Sequence, residues 1–301
     1  MVVRSLVAIG DSFTEGLDDM GPDGEFRGFA DRLAQHLAQN YCGFRYANLA
    51  VRGRRMRQIC GEQVDQTLSM APDLVTVHAG GNDVLRPNTD LDHLAAQFDA
   101  GICQLRAAGI RVVILSGHDT GWIPVLRAYR GRIAVYSMHL RAIAERHGCD
   151  IVDMWAMSAL NDPRAWSVDR LHFNATGHSI VAARAAEVLG QPMGGPELWQ
   201  SPWSAPAVVP PRAVRRRQTL RWTYEYLVPW IGRRAIGRSS GDGLAPKRPE
   251  LTELATVSAS RSDSAIASGG TAEPASSRAM PDQQARRQAR RDVMAPQSGR
   301  G

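Results

Sequence analysis

The sequence predicts an α/β fold: five short strands in a parallel sheet, with helices packed on both faces. Three observations carry this. Up to about residue 190, short β-like runs alternate with longer segments of helical period. The run "IRVVILSG" is rich in β-branched residues and almost continuously apolar, as suits a strand buried on both faces. Glycine and proline punctuate the pattern: Gly10 stops the first run, Pro72 introduces the third, and Gly109 ends a helix. Right-handed crossovers then distribute the helices to the two sides of the sheet.

In chain order, "SLVAIG" is the first strand. "RGFADRLAQHLAQN" follows as a helix, with Phe29, Leu33, His36 and Leu37 on one side of its period. "FRYANLAV" is the second strand, and Met56, Ile59, Val64 and Leu68 make "MRQICGEQVDQTL" a helix. "DLVTVHAG" is the third strand, and the helix "LDHLAAQFDAGICQLRAAG" ends on Gly109, where a left-handed terminal glycine belongs. "IRVVILSG" is the fourth strand, "IAVYSMHLRAIAERHG" the next helix and "CDIVDM" the fifth strand. "NATGHSIVAARAAEVLG" closes the domain, with Asn174 as its N-cap.

The 301 residues allow one or two domains, and a hydrophobic content of 44% is enough for a sizeable core. Charge divides the chain. Residues 1–192 hold 19 arginines against 21 acids, whereas residues 193–250 hold 10 basic residues against 4 acids. The overall charge of +6 therefore belongs to the C-terminal third and argues little for nucleic acid. Residues 1–192 form the folded domain. Residues 193–238 form an extension rich in Pro, Trp and Arg, in which Arg212–Arg238 contains a helix packed through Trp222, Tyr226 and Trp230. Residues 239–301, with no aromatic residue, are expected to be disordered. The cysteines Cys42, Cys60, Cys103 and Cys149 are widely spaced and read as buried thiols, neither metal ligands nor a disulfide framework. No secretory leader or membrane span is visible, so the expected location is cytoplasmic.

Ligands of such sheets bind beyond the C-terminal ends of the strands. Four of those ends carry polar groups. Gly10-Asp11-Ser12 follows the first strand, "VRGRRM" with Gly53 the second, "AGGNDV" with Asn82 the third, and "SVDRLHFNATGH" with Asp169 and His172 the fifth. A serine is a poor nucleophile unless a base removes its proton, and His172 is such a base at neutral pH. A carboxylate three residues before it, Asp169, fixes the tautomer and stabilises the imidazolium. The backbone N–H of Ser12, that of Gly53 and the Asn82 amide are donors for an oxyanion. Taken singly, Ser12 also reads as a helix N-cap, Asn82 as a turn former and His172 as a buried core histidine; Asp11 and Asp83 read as loop-holding residues.

With these four blocks, in this order, the chain resembles the SGNH subgroup of the GDSL hydrolase family, over roughly residues 4–190. "IGDSFTEG" resembles the family's first block, Gly53 in "NLAVRGRR" its second, "GGND" its third and "DRLHFNATGH" its last. The resemblance implies a flavodoxin-like three-layer sandwich with an open site. It also implies a triad of Ser12, His172 and Asp169, and an oxyanion hole of Ser12, Gly53 and Asn82. The Asp and His lie too close in sequence for the α/β-hydrolase arrangement, and the Gly-x-Ser-x-Gly elbow is absent.

The implied activity is hydrolysis of a carboxylic ester or thioester through an acyl-enzyme on Ser12, the substrate being a lipid, a small acyl ester or an acetylated sugar. Acyl transfer by the same groups is the alternative within chemistry. The alternative outside it is a catalytically silent module that binds a membrane or partner through Arg212–Arg238. No cofactor or metal is expected: HExxH, CxxC and GxGxxG are absent, and the chain's only lysine is Lys247. His36, His78 and His178 read as structural. His118, in "SGHDTGW" after the fourth strand, should border the crevice, and Trp122 and Arg86 are candidates to line it.

Overall fold

A computed structural model of the chain describes residues 2–254, apart from 124–125, 206, 208–209, 230–231 and 233–238. Trp230 and the stretch 255–301, to which the sequence reading gave a packing role and a disordered state, lie outside the described residues.

The strands β1 (Ser5–Gly10), β2 (Arg45–Asn48), β3 (Leu74–His78), β4 (Arg111–Leu115) and β5 (Asp150–Val152) are parallel, in the order β5-β4-β3-β1-β2. This is the flavodoxin-like order, with helices on both faces. Its connections reverse direction between β1 and β3, and that is where such sheets open a crevice. The period-2 alternation of the strands divides the core in two. Leu6, Ala8, Leu74, Val113 and Leu115 face one layer, with α2 (Phe29–Ala38) and α8 (Ala175–Val188) against them. Val7, Ile9, Val75, Val77, Val112 and Ile114 face the other. There they meet the segment Met56–Met70, α6 (Leu91–Ala107) and α7 (Arg130–His147). Each fully buried Leu, Ile or Val contributes about 1.5–3 kcal/mol, so sheet and helices stand or fall together.

Between Met56 and Met70 the helix is interrupted. α3 (Met56–Gln58) passes into a π-helical stretch, Ile59–Gln63, before α4 (Val64–Met70). Such bulges rotate the side chains that follow. Here Gln63 is buried and turned onto β1, where its amide brackets Gly10. The short helices α1 (Ser12–Glu15) and α5 (Gly81–Val84) begin directly off β1 and β3.

The sheet has six strands, one more than the sequence reading allowed. β6 (Arg248–Glu253) lies antiparallel on the free edge of β2, pairing Arg45 with Glu253 and Tyr46 with Thr252. The start of the expected disordered tail is therefore corrected, because residues 248–253 are a strand. "RPELTE" escaped notice because an edge strand needs little apolar surface. It gains its ladder on one side only, and Pro249 is tolerated where one edge faces outward. Leu251 alone packs on the core. Lys247, just before β6, donates to Asp31 Oδ2 at 2.6 Å and to the carbonyls of Glu15 and Phe26 at 2.7 and 2.8 Å. In the extension, α9 (Glu197–Gln200) and α10 (Arg212–Trp222) are helical, and α10 buries Trp222. No helix among the described residues is long and apolar enough to cross a membrane.

Burial already raises the Asp31 carboxyl above its ordinary range, despite Lys247 beside it. Lys247→Met removes the charged donor that the carboxyl and two carbonyls share, leaving Asp31 only the Gly28 N–H and the Tyr46 hydroxyl. We expect a loss of about 2 kcal/mol, read as a fall of about 4–8 °C in melting temperature. An unchanged melt would show that β6 is not held through Lys247.

Candidate active site

β1 ends at Gly10 because nothing larger fits. A Cβ there would lie 2.5 Å from the His78 carbonyl of β3 and 2.4 Å from Thr14 Oγ1. Gln63 Oε1 accepts the Gly10 N–H at 2.7 Å, and its Nε2 donates to the Gly10 carbonyl at 3.0 Å. The turn after Gly10 is thus fixed from both sides of its peptide. Asp11, not Ser12, caps α1: its carboxylate accepts the Phe13 N–H at 3.2 Å. That leaves the Ser12 hydroxyl for another partner.

The partner is His172. Its Nε2 lies 2.9 Å from Ser12 Oγ, and its Nδ1 lies 2.7 Å from Asp169 Oδ2. A carboxylate only accepts, so Nδ1 carries the proton and Nε2 of the neutral ring accepts from the serine hydroxyl. The Asp169 carboxylate also accepts the backbone N–H groups of Leu171 and His172, at 2.9 and 3.0 Å. The loop is closed by a bridge between Trp166 and Phe173 and by the Ser167 N–H on the His172 carbonyl. Asn174 then caps α8.

Burial disfavours the charged form of His172, yet the Asp169 carboxylate, its hydrogen bond and the carboxylates of Asp18 and Asp11 outweigh it. The net effect is a pKa raised above 6.5. Asp169 is pushed up by its own burial, but His172 and the two backbone donors hold it below the usual carboxylate range. Asp18, which the sequence did not mark, accepts a hydrogen bond from Ser167 Oγ and brings a second carboxylate to this corner. Ligand atoms of Asp18, Asp169 and His172 lie within 4.8 Å of one another, a spacing that could hold a cation. Both His172 ring nitrogens, however, are already committed to Ser12 and Asp169.

The remaining expected residues are held in the neighbouring loops by their own hydrogen bonds. Asn82 Nδ2 donates to Asp11 Oδ2 and to the Arg54 carbonyl, both at 3.1 Å, so each amide hydrogen already has an acceptor in this state. Gly53 has φ +74°, a left-handed conformation that glycine takes without strain. Its loop is tied to α1 by Glu15, which accepts from the Arg52 backbone at 2.7 Å and pairs with the Arg52 guanidinium. Asp83 accepts the Met56 N–H at 2.8 Å, a structural task.

His118 is buried against Trp166 and near Phe13, and desolvation, with His78 nearby, pushes its pKa down to about 3. His178, fully buried, accepts the Phe29 N–H and is pushed down to about 3 by the same cause. Both rings are neutral. Trp122 packs on Trp166, and Arg86 donates to the Asn82 carbonyl. Two open grooves, of about 440 and 380 Å³, are lined by Ser158, Asn161, Asp162 and Trp203 and by Arg55, Asp83 and Asn88. Neither includes Ser12 or His172.

Residues 8–180 match the model of the GDSL-like Lipase/Acylhydrolase family. Among solved structures, the acetylxylan esterase Axe2 from Geobacillus stearothermophilus is 20% identical, with a TM-score of 0.52 over 63% of this chain and 97% of that one. LAE5, described as an α/β hydrolase enzyme from the metagenome of Lake Arreo, is 23% identical, with a TM-score of 0.52 over 62% and 95%. TesA is 19% identical, with a TM-score of 0.53 over 62% and 98%. At these identities the likeness is one of fold. No curated protein matches the chain.

The direction of the His172 shift is testable without substrate. Titrated by NMR, its imidazole should ionise above pH 6.5, and in Asp169→Asn the midpoint should fall. The raised value reflects favourable pairing of the cation, so removing the anion must lower it. An unmoved midpoint would show that Asp169 does not govern this ring.

Proposed function

The chain belongs to the GDSL-like Lipase/Acylhydrolase family and is a hydrolase acting on ester bonds, and from that premise we propose that it works through an acyl-enzyme on Ser12. The observation that carries the reading is the unbroken hydrogen-bond chain from Ser12 Oγ through His172 to Asp169, at 2.9 and 2.7 Å.

His172 Nε2 takes the hydroxyl proton as Ser12 Oγ attacks the ester carbonyl. Asp169 stabilises the imidazolium that forms and keeps its orientation. The carbonyl oxygen, now an anion, is met by the N–H groups of Ser12 and Gly53 and by the Asn82 amide. To take part, Asn82 exchanges one acceptor. The neutral Arg54 carbonyl is the cheaper to give up, because the Asp11 carboxylate makes the stronger, charge-assisted bond. His172 then returns the proton to the leaving alcohol, and the acyl-serine forms. Water, deprotonated by the same imidazole, releases the acid. Where an alcohol replaces water, the outcome is acyl transfer.

Carboxylic esters are the substrate class, thioesters a variant with a better leaving group. Likeness to Axe2 favours keeping acetylated sugars, expected from the sequence, in the set worth assaying. p-Nitrophenyl esters of rising chain length, together with acetylated sugars, separate these possibilities.

Two substitutions test the chemistry. Ser12→Ala should abolish labelling by a fluorophosphonate probe; labelling that persists in a folded variant would move the nucleophile elsewhere. Asn82→Ala should lower kcat by about 10²–10³. An equal kcat would remove its amide from the oxyanion hole.

A further inference from the structure

The family match ends at residue 180, yet the chain returns to the catalytic loops three times beyond it. First, α10 buries Trp222 to 4% exposure, and the indole Nε1–H donates to the backbone carbonyl of Asp169 at 2.6 Å. The next residue, Arg170, has φ +54°, a strained conformation for a residue with a side chain. Its guanidinium lies 5.6 Å from the centroid of the same indole, and its Nη1 reaches Thr219 Oγ1 of α10 at 3.5 Å. Second, the turn at Ser239–Gly241 presses on the Gly53 loop. A Cβ on Gly241 would lie 1.9 Å from the Arg52 carbonyl, and one on Gly53 would lie 1.8 Å from Ser239 Oγ. Third, Lys247 donates to the carbonyl of Glu15, the last residue of the helix that begins with Ser12.

These contacts fall on the three loops that carry Asp169 with His172, Gly53, and Ser12. We propose that α10 and residues 239–253 are positioning elements of the active site, and that the Trp222 indole fixes the turn that presents Asp169 to His172. The inference rests on the serine-hydrolase reading. Trp222 touches no reacting atom and acts through the backbone of Asp169. A strained turn persists only where its surroundings determine it, and the indole above and α10 beside Arg170 are those surroundings. Loosened, the turn would let the carboxylate drift from Nδ1, and small misplacements of catalytic groups are costly.

The groups facing His172 are Asp169, Asp18 and Asp11, all carboxylates, and the neutral ring of His178. Weakening the nearest of them makes the imidazole easier to deprotonate. Because the base must be neutral to work, the acid limb of kcat/KM then moves to lower pH.

The test uses the full chain and p-nitrophenyl acetate. Trp222→Phe keeps an aromatic ring in the site and removes the N–H donor together with part of the indole's volume. Expected are a fall in kcat of about 10- to 100-fold, a KM within about twofold of the parent, and an acid limb shifted down. Trp199→Phe, the same change at a tryptophan packed on Arg184, should leave kcat and the limb unchanged. Gly241→Ala addresses a second loop and needs no buried aromatic: it should lower kcat without moving the limb, because it displaces Arg52–Gly53 and not Asp169. The inference is overturned if Trp222→Phe and Gly241→Ala both keep the parent kcat below their melting temperatures, or if Trp222→Phe loses stability alone. A parent protein that hydrolyses no ester and takes no fluorophosphonate overturns the serine-hydrolase reading and this inference with it.

Discussion

The closeness of β1 and β3 at their C-terminal ends is the constraint on which the rest depends. With a Cβ at Gly10 placed only 2.5 Å from the His78 carbonyl, the two strands can stay paired to their last residues only if Gly10 is bare. The chain then turns at once into α1, and Ser12 emerges at the crevice without a linking loop. Gln63 holds the turning peptide, Asp11 caps the helix, and the other oxygen of Asp11 reaches Asn82 at the end of β3. Position is therefore set by main chain on two neighbouring strands. The serine side chain contributes little to its own placement.

Around that point, burial alone decides nothing about charge. His118 and His178 are buried and His172 is partly buried, yet two are driven neutral and one is held as a stronger base. What differs is the company each keeps. His178 meets a backbone donor and more distant cations, and His118 meets aromatic rings and another imidazole. Of the three, only His172 has a carboxylate hydrogen-bonded to its ring, at 2.7 Å, with two more beyond. A low-dielectric setting amplifies whichever partner is present, so a single well-placed Asp separates one basic imidazole from its neutral neighbours.

Much of this was legible in the sequence, for physical reasons. The five parallel strands announced themselves because doubly buried strands must be apolar throughout, as in Val112–Leu115. The four polar blocks stood out because acids, amides and imidazoles at strand ends have no packing role there. Other parts were silent. Gln63 has no place in the apolar spacing of its helix; it lies in the π-helical stretch, invisible in residue spacing, and is buried against β1. Asp18 carries no pattern at all; it matters through a neighbour, Ser167, that is distant in sequence. β6 was missed because an edge strand satisfies its backbone without an apolar run. The engagement of Asn82 by Arg54 is likewise a property of three-dimensional proximity that no motif encodes.

The sixth strand has a consequence for how the molecule is made. Sheet order places β2 beside β1, so its outer rim is bare until residues 248–253 arrive. A chain emerging from the ribosome folds its N-terminal part first, and here the layers up to α8 can assemble while that rim still offers unpaired amides and carbonyls. Such an edge is a template for any extended segment nearby. The interval between translation of α8 and translation of β6 is thus the window in which this chain is most exposed to sticking to its neighbours on a polysome, and its own late strand is what closes it.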